Sequence, residues 1–172
     1  MLPFAEIKEP KLEDCPNLPA NFSPAPYEAE IIRLEQQVHF PTYPVIDYTR
    51  DDWRRYLNAY YRLVETVDNE IGKIIEALVE LGLYDDAVII FSSDHGDGVA
   101  ANKWNQKSAL FEEIVNVPFI VKAPGAFGSN VERGELINAG LDLLPTICDY
   151  ASAEIPSHAT GKSIRTLVEN RG

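Results

Sequence analysis

The sequence predicts an α/β fold, a partial parallel or mixed sheet flanked by helices, and two neighbouring patterns indicate it. Between residues 56 and 81, apolar side chains recur at steps of three and four, which is the period of a long amphipathic helix. A tight turn then leads into residues 87–91, Ala-Val-Ile-Ile-Phe, a run that is apolar on both faces. Strands buried on both sides of a parallel sheet have this composition. The order helix, turn, buried strand and polar glycine-rich loop is typical of a doubly wound domain.

The chain is long enough for one domain, with 172 residues and 19.2 kDa. We expect residues 1–172 to form a single partial domain with two segments of different character. Residues 1–50 carry eight of the twelve prolines, each of which removes a backbone donor, so this segment is predicted to be loop-rich. One helical turn is expected near residues 28–37, and residues 51–172 form the helix–strand core.

The long helix has recognisable start and stop signals. Thr49 followed by Asp52 has the spacing of a capping box, in which each side chain binds the backbone amide of the other residue. Gly82 fits the left-handed position that ends a helix, because glycine adopts positive φ without a steric penalty. These signals predict a helix that begins near residue 50 and ends at residue 81.

Three shorter elements are predicted after the buried strand. Residues 108–113 resemble a short helix, and residues 117–121 a second strand with Pro118 at its start, where no ladder donor is needed. Residues 135–138 are predicted as a further short strand. A last helix is expected to begin with Asp142 as its cap and to run to about residue 151, with Pro145 in its first turn.

Composition excludes several classes of function. With 15 basic and 27 acidic side chains the chain carries a net charge of −12, which disfavours binding to nucleic acid. The longest apolar run has five residues, far from the roughly 20 that a membrane-spanning helix needs. The two cysteines, Cys15 and Cys148, form no CxxC motif and are expected to be unpaired structural residues.

The loop after the buried strand, residues 92–98, is the strongest candidate for a functional site. In doubly wound sheets ligands bind beyond the carboxyl ends of the strands, where Asp94 and His95 lie. An adjacent carboxylate and imidazole supply two metal ligands when a distorted turn aims both side chains inward. Gly96 and Gly98 let the backbone bend tightly and leave room for a ligand. The alternative is an ordinary loop in which Asp94 caps a turn and His95 is solvated.

The ordered series of motifs resembles the sulfatase family, within the alkaline-phosphatase-like superfamily. In that family a strand is followed by Ser-Asp-His-Gly or Ser-Asp-Asn-Gly, matched here by residues 93–96. Each single motif is weak, whereas their combination in the family's order, over about 150 residues, is specific. The other matching segments are Leu18-Pro19-Ala20-Asn21-Phe22, Trp104, Lys107, Phe111-Glu112-Glu113, Val117-Pro118, Asp142-Leu143-Leu144-Pro145-Thr146 and Gly161-Lys162-Ser163-Ile164.

The resemblance implies roles for three residues. Asp94 and His95 match two protein ligands of the family's divalent cation, usually Ca²⁺, with another divalent cation possible. Lys107 matches the lysine that contacts the sulfate oxygens, where it would stabilise developing charge. The implied substrate of the complete enzyme is a sulfated small molecule or glycan. By contrast, Lys103 is expected to be a surface lysine and Asp97 a loop-capping carboxylate.

The departures from the family pattern concern the nucleophile. The family's formylglycine is made from the first residue of Cys/Ser-x-Pro-x-Arg, and the sequence contains no such motif. Asp51-Asp52 precedes the long helix, so it does not replace the family's paired aspartate ligands. The chain thus resembles the second half of a sulfatase catalytic domain, and exposed sheet edges predict self-association. Two alternatives stay open: a phosphate or phosphonate ester hydrolase of the same superfamily, and a non-catalytic interaction module.

Overall fold

The computed structural model describes residues 9–24, 26–37, 45–126 and 134–169. They fall into two compact units, the first within Met1–Ile71 and Gly96–Val115 and the second within Gly72–His95 and Asn116–Gly172. The sequence prediction of one partial domain stays a prediction. The elements in chain order are α1 (Glu30–Gln37), α2 (Arg50–Glu80), β1 (Ile89–Ser92), α3 (Glu112–Val115), β2 (Phe119–Lys122), α4 (Ala139–Tyr150) and α5 (Arg165–Glu169), with 3-10 turns at Leu12–Asp14 and Ala101–Lys103.

Helix α2 begins and ends as its sequence predicts. The Thr49 amide donates to Asp52 Oδ2 at 2.9 Å and the Asp52 amide donates to Thr49 Oγ1 at 3.2 Å, which is a reciprocal capping box. At the other end Gly82 has a φ of +66°. The Leu83 amide then reaches back to the Leu78 carbonyl at 2.9 Å, the 6→1 bond of a Schellman motif. Local sequence alone therefore determines both ends of this helix.

The core of the first unit surrounds Trp53, which has no exposed surface. Phe22, Val45, Leu57 and Ala100 are the other buried members of this cluster. The rings of Phe22, Tyr48 and Tyr56 meet the Trp53 indole edge-on, with centroids 5.4–6.0 Å apart. Such aromatic pairs add to the stabilisation that burial alone provides.

The proline-rich segment docks on α2 as far as it is described. Arg54 donates to three backbone carbonyls of this segment, those of Leu12, Cys15 and Pro16, at 2.7–2.9 Å. The predicted helical turn near residues 28–37 is confirmed as α1. Cys15 and Cys148 are both free thiols, as expected. Residues 1–8, 25 and 38–44 of the segment lie outside the described residues.

The α/β class is confirmed, but the observed strand pair is antiparallel. Ile90 faces Val121 and Phe91 faces Ile120 across the β1–β2 ladder. The prediction of burial on both faces is not realised within the described residues, because β1 pairs with β2 alone and Phe91 stays 41% exposed. The apolar composition of β1 is typical of a central strand, but among the described residues β1 has only one neighbouring strand.

The second unit differs from expectation at the start of α4. Its cap is Asn138, whose side chain accepts from the Leu141 amide at 3.1 Å. Asp142 lies within the helix, where its carboxylate accepts from the Asn138 amide at 2.9 Å and from the Lys162 amide at 2.8 Å. Because the helix begins earlier than predicted, Pro145 falls in its second turn. The predicted strand at residues 135–138 is wrong, since these residues have no regular structure.

The last two sequence motifs pack together in the second unit. Thr146 is fully buried, its hydroxyl donates to the Asp142 carbonyl, and the same oxygen accepts from the Ile164 amide at 3.1 Å. A Cβ on Gly161 would lie 2.0 Å from the Leu141 carbonyl oxygen, so this position requires glycine. These residues hold the two motifs together.

The other short elements shift slightly from their predicted places. The helix expected at residues 108–113 is wrong over residues 108–111, because the observed α3 begins only at Glu112 and ends at Val115. Pro118 directly precedes β2, as expected. No helix in the described ranges has the length and hydropathy needed to cross a bilayer.

Candidate active-site loops

The first candidate site is the turn directly after β1, in the second unit. The Asp94 Oδ2 and His95 Nε2 atoms lie 3.7 Å apart, so the turn brings the two predicted ligands together. The His95 amide donates to Asp94 Oδ1 at 3.0 Å, and the Ser93 hydroxyl donates to the His95 carbonyl at 2.6 Å. The Asp94 side chain is 84% exposed and that of His95 is 39% exposed. The turn thus presents one carboxylate and one imidazole to the surroundings.

This pair fits a divalent cation only in part. Carboxylate oxygens suit Ca²⁺, which takes six to eight oxygen ligands, and imidazole is a frequent ligand of other divalent metals. Within the parts of the chain that the structure describes, no group of three or more His, Cys, Asp or Glu side chains is placed to hold a metal ion. The turn therefore supplies two anchors at most.

Gly96 and Gly98 follow the Asp94–His95 turn and belong to the first unit. A Cβ on Gly96 would lie 2.0 Å from the Glu113 carbonyl oxygen, and one on Gly98 would lie 2.6 Å from the Trp104 carbonyl oxygen. Both positions therefore require glycine because the backbone packs closely. The prediction that they leave room for a ligand is not borne out, since the chain itself fills the space at both positions.

The second candidate site is the loop that leads to Lys107, also in the first unit. Lys107 is exposed, and its carbonyl accepts from the indole nitrogen of Trp104 at 3.0 Å. Trp104 is only 5% exposed and packs with Ala109, Phe111 and Ile114. A buried indole thus fixes the backbone from which the lysine side chain projects.

Sequence reasoning assigned Asp97 to the loop, and the structure confirms this assignment. Its carboxylate accepts from the amides of Val99 and Gln106 at 2.8 and 3.0 Å. A third donor, the Tyr56 hydroxyl at 2.6 Å, was not foreseen. Burial, followed by the bond to Asp97, raises the pKa of the Tyr56 phenol. The phenol therefore remains a donor throughout the physiological range.

The family comparison accounts for most of the chain. The sulfatase family model matches residues 13–153, which include Asp94, His95 and Lys107. The chain belongs to the sulfatase family. The alkaline-phosphatase-like fold and the partial α/β architecture follow from this membership and from the structural neighbours.

Individual sulfatase relatives and neighbours match only part of their own length. The N-acetylglucosamine-6-O-sulfatase of Bacteroides thetaiotaomicron is 30% identical over 120 residues, which is 70% of this chain and 21% of that protein. A crystal structure described as a sulfatase from the same species matches 90% of this chain and 34% of its own, with a TM-score of 0.77 and 24% identity. The phosphonate monoester hydrolase of Agrobacterium radiobacter matches 72% of this chain and 24% of its own, with a TM-score of 0.64 and 31% identity.

Two of the sulfatase motifs meet beside the Lys107 loop. The Asn21 side chain donates to Glu113 Oε1 at 2.7 Å, joining the Leu-Pro-x-Asn-Phe segment to the Phe-Glu-Glu segment. The Asn21 carbonyl also accepts from the Asn102 amide at 2.8 Å. In the sequence, Asn21 is recognisable only as part of the Leu-Pro-x-Asn-Phe motif. Because 92 residues separate Asn21 from Glu113, no local pattern indicates their contact.

Proposed function

We propose that this chain forms part of a sulfate-ester hydrolase, in which Lys107 binds the sulfate oxygens and Asp94 and His95 hold a divalent cation. The observation that carries the proposal is the match of residues 13–153 to the family, with these three residues in the matching motifs. The geometry supports it in two ways. Asp94 and His95 share one turn, and the backbone of Lys107 accepts a hydrogen bond from the buried Trp104 indole.

The chain's own residues contribute charge and position to the reaction. When bound, the cation acts as a Lewis acid that polarises the sulfate ester. The Lys107 ammonium would neutralise charge on the sulfate oxygens as the S–O bond breaks. Because the backbone of Lys107 is held in place, less reorganisation of the protein is needed as the S–O bond breaks. Preorganised charges accelerate reactions in this way.

Replacing the lysine tests this role most directly. In the complete enzyme that carries this chain, Lys107→Ala should lower kcat for an aryl sulfate by about 10²-fold or more, as for other preorganised charge stabilisers. Lys103→Ala is the matched control, because Lys103 lies in the same loop with its ammonium over the Phe22 ring and matches no family position. Equal kcat values for the wild type and Lys107→Ala would contradict the role of Lys107.

The 172-residue chain by itself is expected to be inactive. It contains no Cys/Ser-x-Pro-x-Arg motif, and catalytic groups that act as a unit lose nearly all activity when one of them is missing. We therefore expect no hydrolysis of aryl sulfates by the purified chain at any Ca²⁺ concentration. Turnover by this chain that depends on a metal ion would show that it carries a nucleophile outside the family motif.

A second candidate is hydrolysis of phosphonate or phosphate esters. The match to the phosphonate monoester hydrolase of Agrobacterium radiobacter favours it, because that protein is 31% identical over a match that covers 72% of this chain. Steady-state rates of the complete enzyme on matched aryl sulfate, phosphate and phenylphosphonate esters would separate the two candidates. A higher kcat/KM for the phosphorus esters would replace the sulfatase proposal by this one.

The proposed substrate class is a sulfated small molecule or glycan, and the proposed partner of the isolated chain is a second copy. Many apolar side chains of this chain are exposed, among them Leu63, Val67 and Ile74 on α2. Exposed apolar surface favours association, and the charge of −12 opposes it. Light scattering of the purified chain should give a mass above 19.2 kDa, and a monomer at high concentration would contradict self-association.

A further inference from the structure

The loop around Lys107 holds an unusual concentration of strained backbone. Six of its residues other than glycine have positive φ: Val99 (39°), Ala100 (67°), Asn102 (53°), Lys103 (54°), Gln106 (61°) and Ser108 (82°). Positive φ in a β-branched residue such as valine is rare. Each strained residue costs on the order of 1–3 kcal/mol and persists only where surrounding contacts impose it. Something in the first unit must therefore hold residues 99–108 in place.

The Asp97 carboxylate binds the loop near both of its ends. One oxygen accepts from the Val99 amide, at the beginning of the strained stretch, and the other accepts from the Gln106 amide, one residue before Lys107. The Gly98 amide also donates to the Gln106 carbonyl at 2.8 Å, next to the carboxylate bond. Hydrogen bonds to a charged acceptor are about twice as strong as neutral ones, so the carboxylate is well suited to closing this loop.

Tyr56 connects the same carboxylate to the rigid core. It lies on α2, and its ring packs edge-on against the fully buried Trp53 at a centroid distance of 5.5 Å. Its hydroxyl donates to the Asp97 oxygen that also binds the Val99 amide. Asp97 thus joins the loop to the part of α2 that packs in the core of the first unit.

We propose that Asp97 is a positioning residue for Lys107, with Tyr56 as its anchor on α2. The proposal rests on the function given above, because Asp97 would affect the reaction only through the position of Lys107. Two hydrogen bonds hold the backbone at and next to Lys107. Asp97 accepts from the Gln106 amide, and the Trp104 indole donates to the carbonyl of Lys107 itself. Asp97 touches neither substrate nor cation in this scheme.

The two tryptophan indoles give a readout that separates positioning from general stability. The Trp104 N–H donates to the Lys107 carbonyl, whereas Trp53 lies in the core of the same unit. Asp97→Asn keeps the side-chain volume but removes one of the two acceptor oxygens. In the 172-residue chain it should speed hydrogen exchange of the Trp104 indole roughly tenfold, because a lost charged hydrogen bond opens the loop locally. Exchange of the Trp53 indole should stay unchanged.

Matched variants control for charge and for loss of a hydroxyl. Asp86→Asn removes one negative charge at an exposed turn, and Tyr61→Phe removes a phenol from an exposed position of α2. Neither should alter the Trp104 exchange rate. Tyr56→Phe should alter it in the same direction as Asp97→Asn, and it serves as the second variant should Asp97→Asn fail to fold. Equal acceleration of both indoles, or of neither, would overturn the positioning role.

Kinetics in the complete enzyme provide the second arm. Asp97→Asn should lower kcat roughly tenfold with a smaller change in KM, because the lysine acts on the transition state. Combined with Lys107→Ala, it should cause little further loss, since residues that act through one another are not additive. Fully additive losses would overturn the proposal. An inactive wild-type enzyme would instead overturn the proposed function, and the indole exchange would then decide the positioning role alone.

Discussion

The lysine loop, residues 97–108, and the Asp94–His95 turn, residues 93–95, follow one another in the sequence but differ in how many contacts hold them. In the lysine loop, one carboxylate and one buried indole hold a strained backbone against the first unit's core, and Gly98 has no room for a Cβ. The Asp94–His95 turn follows a strand with one neighbour in the described residues and presents a carboxylate that is 84% exposed. The chain thus holds the backbone of Lys107 by several contacts, whereas the turn offers two candidate metal ligands.

The largest effect should come from removing the core beneath the lysine loop. Trp53→Ala should lower the free energy of unfolding by about 3–5 kcal/mol, as expected for a fully buried aromatic residue. Ile120→Ala in β2 is the comparison, because Ile120 is 60% exposed and substitutions at such strand positions span about 1 kcal/mol. Urea unfolding of both variants measures the difference. Similar losses of unfolding free energy in the two variants would contradict the expectation that Trp53 stabilises the chain more than Ile120 does.

Substitutions of two glycines should change the stability less, and in opposite directions. Gly98→Ala should destabilise the chain by about 1–3 kcal/mol, because the added methyl would lie 2.6 Å from the Trp104 carbonyl oxygen. Gly72→Ala in α2 meets no heavy atom within 4 Å among the described residues and should stabilise the helix by up to about 1 kcal/mol. Thermal unfolding measures both. Tolerance of alanine at residue 98 would mean that the loop is looser than its contacts indicate.

The capping box of α2 should make a still smaller, pH-dependent contribution. The hydroxyl and amide of Thr49 bind Asp52 and hold the pKa of this carboxyl below its usual value. A lowered pKa in the folded state contributes stability above the ordinary aspartate pKa of about 4 and loses it as the pH falls through the folded value. Asp52→Asn should therefore lower the Tm at pH 7 and have little effect near pH 2. A Tm difference that persists in acid would contradict this origin.

The smallest signal is expected from the Asp94–His95 turn. With only Asp94 and His95 as anchors, the isolated chain should bind Ca²⁺ weakly, with no site of sub-micromolar affinity, because calcium needs six to eight oxygens. Titration calorimetry of the wild type and of Asp94→Ala tests this expectation. Tight binding that Asp94→Ala abolishes would reveal further ligands and remove the contrast between the two loops.

Sequence patterns predicted the elements whose signals are local. The apolar period of α2, its Thr49–Asp52 capping box and the left-handed Gly82 act within a few residues, so they were visible before any tertiary contact was known. The start of α4 was predicted less well, because Asn138 and Asp142 are both competent cap residues. The structure uses both, one as the cap and the other as an acceptor for the cap's own amide.

The sequence by itself determined the family, both ends of α2, and Asp94, His95 and Lys107 as candidate site residues, because each depends on residue types in a fixed local order. Only the tertiary structure decided the antiparallel pairing of β1 with β2 and the attachment of Asp97 to Tyr56. The second contact joins residues 41 positions apart, and a hydrogen bond at that distance leaves no periodicity in the sequence. The six strained residues of the lysine loop were hidden for the same reason, since residues other than glycine adopt positive φ only where distant contacts outweigh their local preference.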